Sequence, residues 1–93
     1  MFKNSLTLYP DNIYMNLDFE KVKMKLKSDK KNIEDYGSLI CISNYDSMIM
    51  INDLCKLNIY YNDSKLVKRE VDDITSIINE QIKPFKYIEK FNS

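Results

Sequence analysis

The strongest nucleophiles in this chain are two thiols, Cys41 and Cys55, and the sequence holds nothing suited to activate them. Its 93 residues include no histidine. That removes Ser-His and Cys-His pairs, the one side chain that titrates near neutrality unperturbed, and any zinc site built on imidazole. A single glycine, Gly37, leaves no phosphate-cradling loop, which needs several glycines so that the backbone can approach the ligand. The cysteines form no Cys-x-x-Cys pair, and the N-terminal residues lack the basic start and apolar run of a signal peptide. Two reduced, buried thiols are therefore expected, ahead of a disulfide or redox pair. Adjacent carboxylates occur at Glu34-Asp35 and Asp72-Asp73, and helix capping accounts for the second pair. No Asp-x-Asp-x-Asp-Gly run suggests calcium. The expectation is a non-enzyme with no cofactor, no catalytic residue and no metal.

Binding residues are easier to nominate. Lys21, Lys23, Lys25 and Lys27 alternate with Val22, Met24 and Leu26, and Lys30 and Lys31 follow. On a strand, four ammonium groups would project from one side, each ~6.6 to 7 Å from the next, and could track a phosphate backbone or an acidic protein groove. The same row would also protect an exposed strand from unwanted pairing. Tyr60, beside Tyr61, is the other candidate, because tyrosine offers contact area at low entropic cost. Neighbouring strand residues point to opposite faces, so only one of that pair can be at the surface.

A formal net charge of +0 gives no bulk attraction to nucleic acid or anionic membrane. No apolar run approaches the ~18 residues of a membrane span, and a cytoplasmic location follows by default. Residues with AT-rich codons (Lys, Asn, Ile, Tyr) dominate, whereas Ala, Gly, Arg and Pro are nearly absent. Such usage points to an AT-rich source: a low-GC bacterium, its phage, a plasmid or virus, or a protist.

The elements that must position these residues are punctuated by Asn and Asp. Turn signals fall at Pro10-Asp11-Asn12, Ser28-Asp29-Lys30-Lys31, Asn44-Tyr45-Asp46, Asn52-Asp53 and Asn62-Asp63-Ser64. Between them the pattern is mostly period two. It predicts strands over 5–9, 13–19 (Ile13, Met15, Leu17 and Phe19 inward), 21–27, 39–42, 47–51 and 54–61. A helix over the second and third of these is the alternative, since Met15, Phe19, Val22 and Leu26 also fall at 4-3-4 spacing. Residues 65–71 read as a seventh strand or as the start of a helix. That helix carries a stripe of Val71, Ile74, Ile78 and Ile82, opens at Asp72-Asp73 and ends at Lys83-Pro84. The apolar tail, Phe85 to Ser93, is expected to dock. The sum is one α+β domain over residues 1–93: a small antiparallel sheet or partly closed barrel of six or seven short strands, followed by one C-terminal helix.

This element order is similar to that of pleckstrin-homology-like domains, a likeness of order alone that carries no function. A second likeness lies in the residues. Thr7-Leu8-Tyr9-Pro10, then Tyr36-Gly37-Ser38-Leu39-Ile40-Cys41 leading to Tyr45-Asp46, resembles in spacing the N-terminal tip domain of the stalk subunit of multisubunit RNA polymerases. That family has a helix in the interval where period-two patterning predicts strands here, and no residue roles carry over. The leading expectation is a small protein-interaction module, an accessory or inhibitor protein of a phage, plasmid or virus, binding a protein partner and able to self-associate. The alternative is a nucleic-acid-binding or RNA-polymerase-associated module using the lysine-lined strand.

Overall fold

A computed structural model describes residues 2–14, 17–81 and 86–92, the side chains of 89–92 excepted. The chain runs β1 (Asn4–Pro10), α1 (Phe19–Asp29), β2 (Ile33–Asp35), β3 (Leu39–Ser43), β4 (Ser47–Asn52), β5 (Leu57–Tyr61), α2 (Ser64–Gln81) and β6 (Tyr87–Asn92). The strands form one open sheet in the order β2-β3-β4-β5-β1-β6, with every neighbouring pair antiparallel. The class is α+β.

Two rows of side chains cross the sheet and hold it. Ile33, Ile42, Ile49, Ile59 and Leu6 are successive cross-strand partners, and so are Asp35, Ile40, Ile51, Leu57 and Leu8. Branched isoleucine suits a pleated surface, and directly opposed side chains touch. Ile40, Ile49, Ile51, Leu57 and Ile59 are fully buried. Their cover comes from Val22 and Leu26 of α1 and from Val67, Ile74, Ile77 and Ile78 of α2, in one continuous core. Topology explains why both helices lie on that side. β1 and β2 are parallel, as are β5 and β6, so each helix is a crossover between parallel strands. Right-handed crossovers that start from oppositely directed strands and travel in opposite lateral directions cover the same face. There α1 and α2 pack against each other, and Lys30 Nζ at the end of α1 reaches Glu70 at 3.2 Å and Asp73 at 3.5 Å on α2.

Three expectations need correction. Residues 19–29 are helix, not strand; Ile13 and Leu17 lie in the connection before it, and Met15 is outside the described residues. Asp18 caps this helix, its Oδ1 accepting from the Lys21 amide at 3.3 Å. The second helix begins at Ser64, so of the two readings of residues 65–71 the helical one holds, and Asp72-Asp73 lie inside the helix instead of opening it. Asp63 is the residue that caps it, through the amides of Lys65 at 2.8 Å and Leu66 at 3.4 Å. The helix is not the last element: the tail returns as β6 along β1. Of the two forms expected for the sheet the open one holds, since β2 and β6 are its two edges. Ile82, Lys83, Pro84 and Phe85 lie outside the described residues.

Ile59 sits in its row between Ile49 and Leu6 with no exposure, so Ile59→Ala should cost about 2–5 kcal/mol in urea unfolding. Met24→Ala, on an α1 side chain that is 71% exposed, should change the midpoint little.

Candidate interaction surface

The four nominated lysines do not form a row. Helical geometry turns successive residues by about 100°, so Lys21 and Lys25 face solvent, Lys25 Nζ lying 3.8 Å from Asp29, while Lys23 and Lys27 turn toward β2. Lys23 is buried. Its ammonium donates to the Gly37 carbonyl at 2.9 Å and lies 2.9 Å from Glu20 and 3.4 Å from Asp35, with the Phe19 ring centroid at 5.4 Å. The Glu20 and Asp35 carboxylates raise its pKa against the opposing effect of burial. Asp35 can meet these lysines because it ends one of the two helix-side rows of the sheet. It also accepts the Gly37 amide at 2.8 Å, closing the β2–β3 turn, where Gly37 adopts φ +89°. Lys27 foremost, then the Gly37 amide and Lys23, pull the Asp35 carboxyl down to about 2. Half of the lysine set is thus a clasp that fastens α1 to the sheet, and none of it is grouped with Tyr60.

Tyr60 lies on the opposite, helix-free face, where alternation puts it beside Met48 and Ser5, and it is 38% exposed. Tyr61 turns inward and packs on the core. The register assigns the rest of that outer face. One row reads Ser43, Met48, Tyr60, Ser5; the next reads Glu34, Cys41, Met50, Asn58, Thr7. Thr7 Oγ1 and Asn58 Oδ1 are bonded at 3.2 Å, so these two polar members of the second row pair with each other. The four inner strands β3, β4, β5 and β1 contain no charged residue at all, although charged residues make up 30% of the chain. Among the described residues every charge lies on a helix, a connection or an edge strand. An exposed face poor in charge and carrying Met and Tyr has the composition of an interface core.

At one end this face runs into a groove of about 500 Å³ lined by Tyr9, Pro10, Ile13, Tyr14, Leu54 and Lys56, among others. Ile13 and Leu54 are 80% and 60% exposed, and Lys56 Nζ stands 4.9 Å from the Tyr9 ring centroid. Asn52 shapes this end: its side-chain oxygen accepts the Leu54 amide at 3.0 Å and the Lys56 amide at 2.9 Å, and Cys55 takes φ 60° in the turn. The Tyr14 hydroxyl donates to Asp11, and that bond raises its pKa. Sequence reasoning missed both the groove and the outer face. The charge-free strands were visible in the sequence, but which side the helices cover was not.

The thiols differ in setting. Both are free and buried. Cys55 has no exposure, and burial pushes its pKa up to about 12, so it remains a thiol at neutral pH. Cys41 lies on the outer face, 9% exposed, its Sγ 3.7 Å from Ser43 Oγ. Among the described residues no group of three or more His, Cys, Asp or Glu side chains is placed to hold a metal ion, and no helix is long and apolar enough to cross a membrane.

The clasp makes a pH prediction. The folded-state pKa of Asp35, about 2, lies below its ordinary 3.8, so its contribution to stability is complete above that ordinary value and is lost as pH falls toward 2. Urea midpoints measured from pH 5 to pH 2.5 should show wild type more stable than Asp35→Asn at pH 5, with the gap narrowing steadily on acidification.

Comparison of the chain with protein-family models, with curated proteins and with solved structures gives no match.

Proposed function

We propose that this chain is a small non-enzymatic protein-interaction module whose binding surface is the helix-free face of its inner strands. One observation carries the reading: β3, β4, β5 and β1 hold no charged residue, and the face they present to solvent offers Met48, Met50 and Tyr60. Desolvating such a face costs little, because no ion has to be stripped of water, and Met and Tyr supply adaptable contact area. The groove beyond Tyr9 gives a partner a recess in which to seat an apolar side chain, the usual setting of a binding hot spot. A composition rich in residues with AT-rich codons supports an accessory or inhibitor protein of a phage, plasmid or virus.

A second reading makes the partner an RNA polymerase. The likeness of Thr7–Pro10 and Tyr36–Asp46 to the stalk-subunit tip domain implies a helix in the interval, and α1 occupies it. This reading calls for contact between proteins. Lysine-guided binding of nucleic acid has less support, since Lys23 and Lys27 are turned into the clasp and only Lys21 and Lys25 of the four face solvent.

Affinity capture from extracts of the source organism tests both. Wild type and a Lys21→Ser/Lys25→Ser variant should retain the same protein, and Met50→Lys should lose it by at least about tenfold. A polymerase subunit as the captured protein would decide for the second reading. Equal capture by Met50→Lys would refute the assignment of the face. Fluorescence anisotropy with generic duplex and single-stranded oligonucleotides should show no salt-dependent binding, whereas affinity falling steeply with salt would mark a nucleic-acid binder.

A further inference from the structure

We propose that Cys41, Met48 and Met50 form a site for a soft monovalent metal ion, copper(I) in the first instance, on the outer face of the sheet. Strand register sets the three sulfur-bearing residues side by side on one face. Cys41 and Met50 are direct cross-strand partners on β3 and β4, and Met48 is two residues from Met50 on the same side of β4. Opposed side chains start from Cβ atoms ~4.5–5.5 Å apart, and diagonal ones from ~7–8 Å or somewhat less. Each methionine has three rotatable bonds with which to bring its thioether over the thiol. None of the three belongs to the core cluster beneath the helices, so the thioethers can move without disturbing the Ile rows.

The donor set selects the ion. One thiolate and two thioethers are soft ligands that suit copper(I), while zinc, calcium and magnesium prefer sets of nitrogen or oxygen donors, of which this patch offers one carboxylate and no imidazole. The nearest carboxylate is Glu34, the other cross-strand partner of Cys41, and the Tyr36 hydroxyl already donates to it. Binding forms a copper–sulfur bond as the Cys41 S–H bond gives up its proton to solvent, with no change in oxidation state. The product is neutral, one positive ion on one thiolate, a charge state suited to β3 and β4, which carry no charged residue of their own. Cys55 cannot serve, because it is fully buried on the core side. The proposal needs the face to be uncovered but needs no protein partner, so it can fail or succeed separately from the function proposed above.

The test is an anaerobic titration of the reduced full chain with the coloured copper(I) complex of bathocuproine disulfonate. Wild type should withdraw one equivalent of copper(I) from the chelator, zinc(II) should not displace it, and both Cys41→Ser and Met48→Leu/Met50→Leu should weaken binding at least tenfold. The Met→Leu pair nearly conserves volume, and circular dichroism checks its fold, so it decides the question even if Cys41→Ser does not fold. A wild type that leaves the chelator complex intact would overturn the proposal. So would a Met48→Leu/Met50→Leu chain that binds as tightly as wild type, since copper would then rest on a lone thiol.

Discussion

One constraint governs this molecule: a six-stranded sheet buries its side chains against helices on one side only. Two rows of mostly isoleucine, opposed strand by strand, need a cover, and α1 and α2 supply it from the same side. The other side needs none, because its second row pairs Thr7 with Asn58 and sets Cys41 beside Met50. From that asymmetry follow both the clustering of charge on helices, connections and edges and the existence of a broad neutral face. A chain with as many carboxylates as cations has thus separated its ionic surface from its uncharged one.

Burial alone does not hold α1 in place. Val22 and Leu26 give it only a narrow apolar stripe, and the residue between Val22 and Met24 is a buried lysine. A buried ammonium is costly unless its donors are met. Here the Gly37 carbonyl, Asp35 and Glu20 meet them. The clasp also fixes the β2–β3 turn, since the carboxylate that receives the lysines accepts the Gly37 amide as well. Lys30 performs the corresponding task at the other end of the helix, toward α2. Lysines that look like a binding row in the sequence are in good part internal fasteners.

Much of the sheet was legible because Asn and Asp punctuate it. Asn44 and Asn52 do stand at the β3–β4 and β4–β5 turns, Pro10 ends β1, and Asp63 opens α2. Leu57 and Ile59 face inward as their alternation implied. The failure at residues 19–29 has a physical cause. Alternating Lys with Val, Met and Leu satisfies period two, yet Val22 and Leu26 are also one helical turn apart, and an exposed Met24 is tolerated. The Asp18 cap, and the lack of any turn signal between Phe19 and Lys21, were the available clues to a helix. Tyr60 was legible as a surface tyrosine, but its neighbours Met48 and Met50 could be grouped with it only through cross-strand register, which no single segment contains.

The central claim is that the uncharged outer face is the working surface of the molecule. Site-specific photo-crosslinking tests it most directly, with Tyr60→p-benzoylphenylalanine on that face and Met24→p-benzoylphenylalanine on the helical side, each exposed to extract of the source organism. A discrete adduct from position 60 and none from position 24 is the expected result. An adduct from position 24, with position 60 left unreacted, would contradict the account.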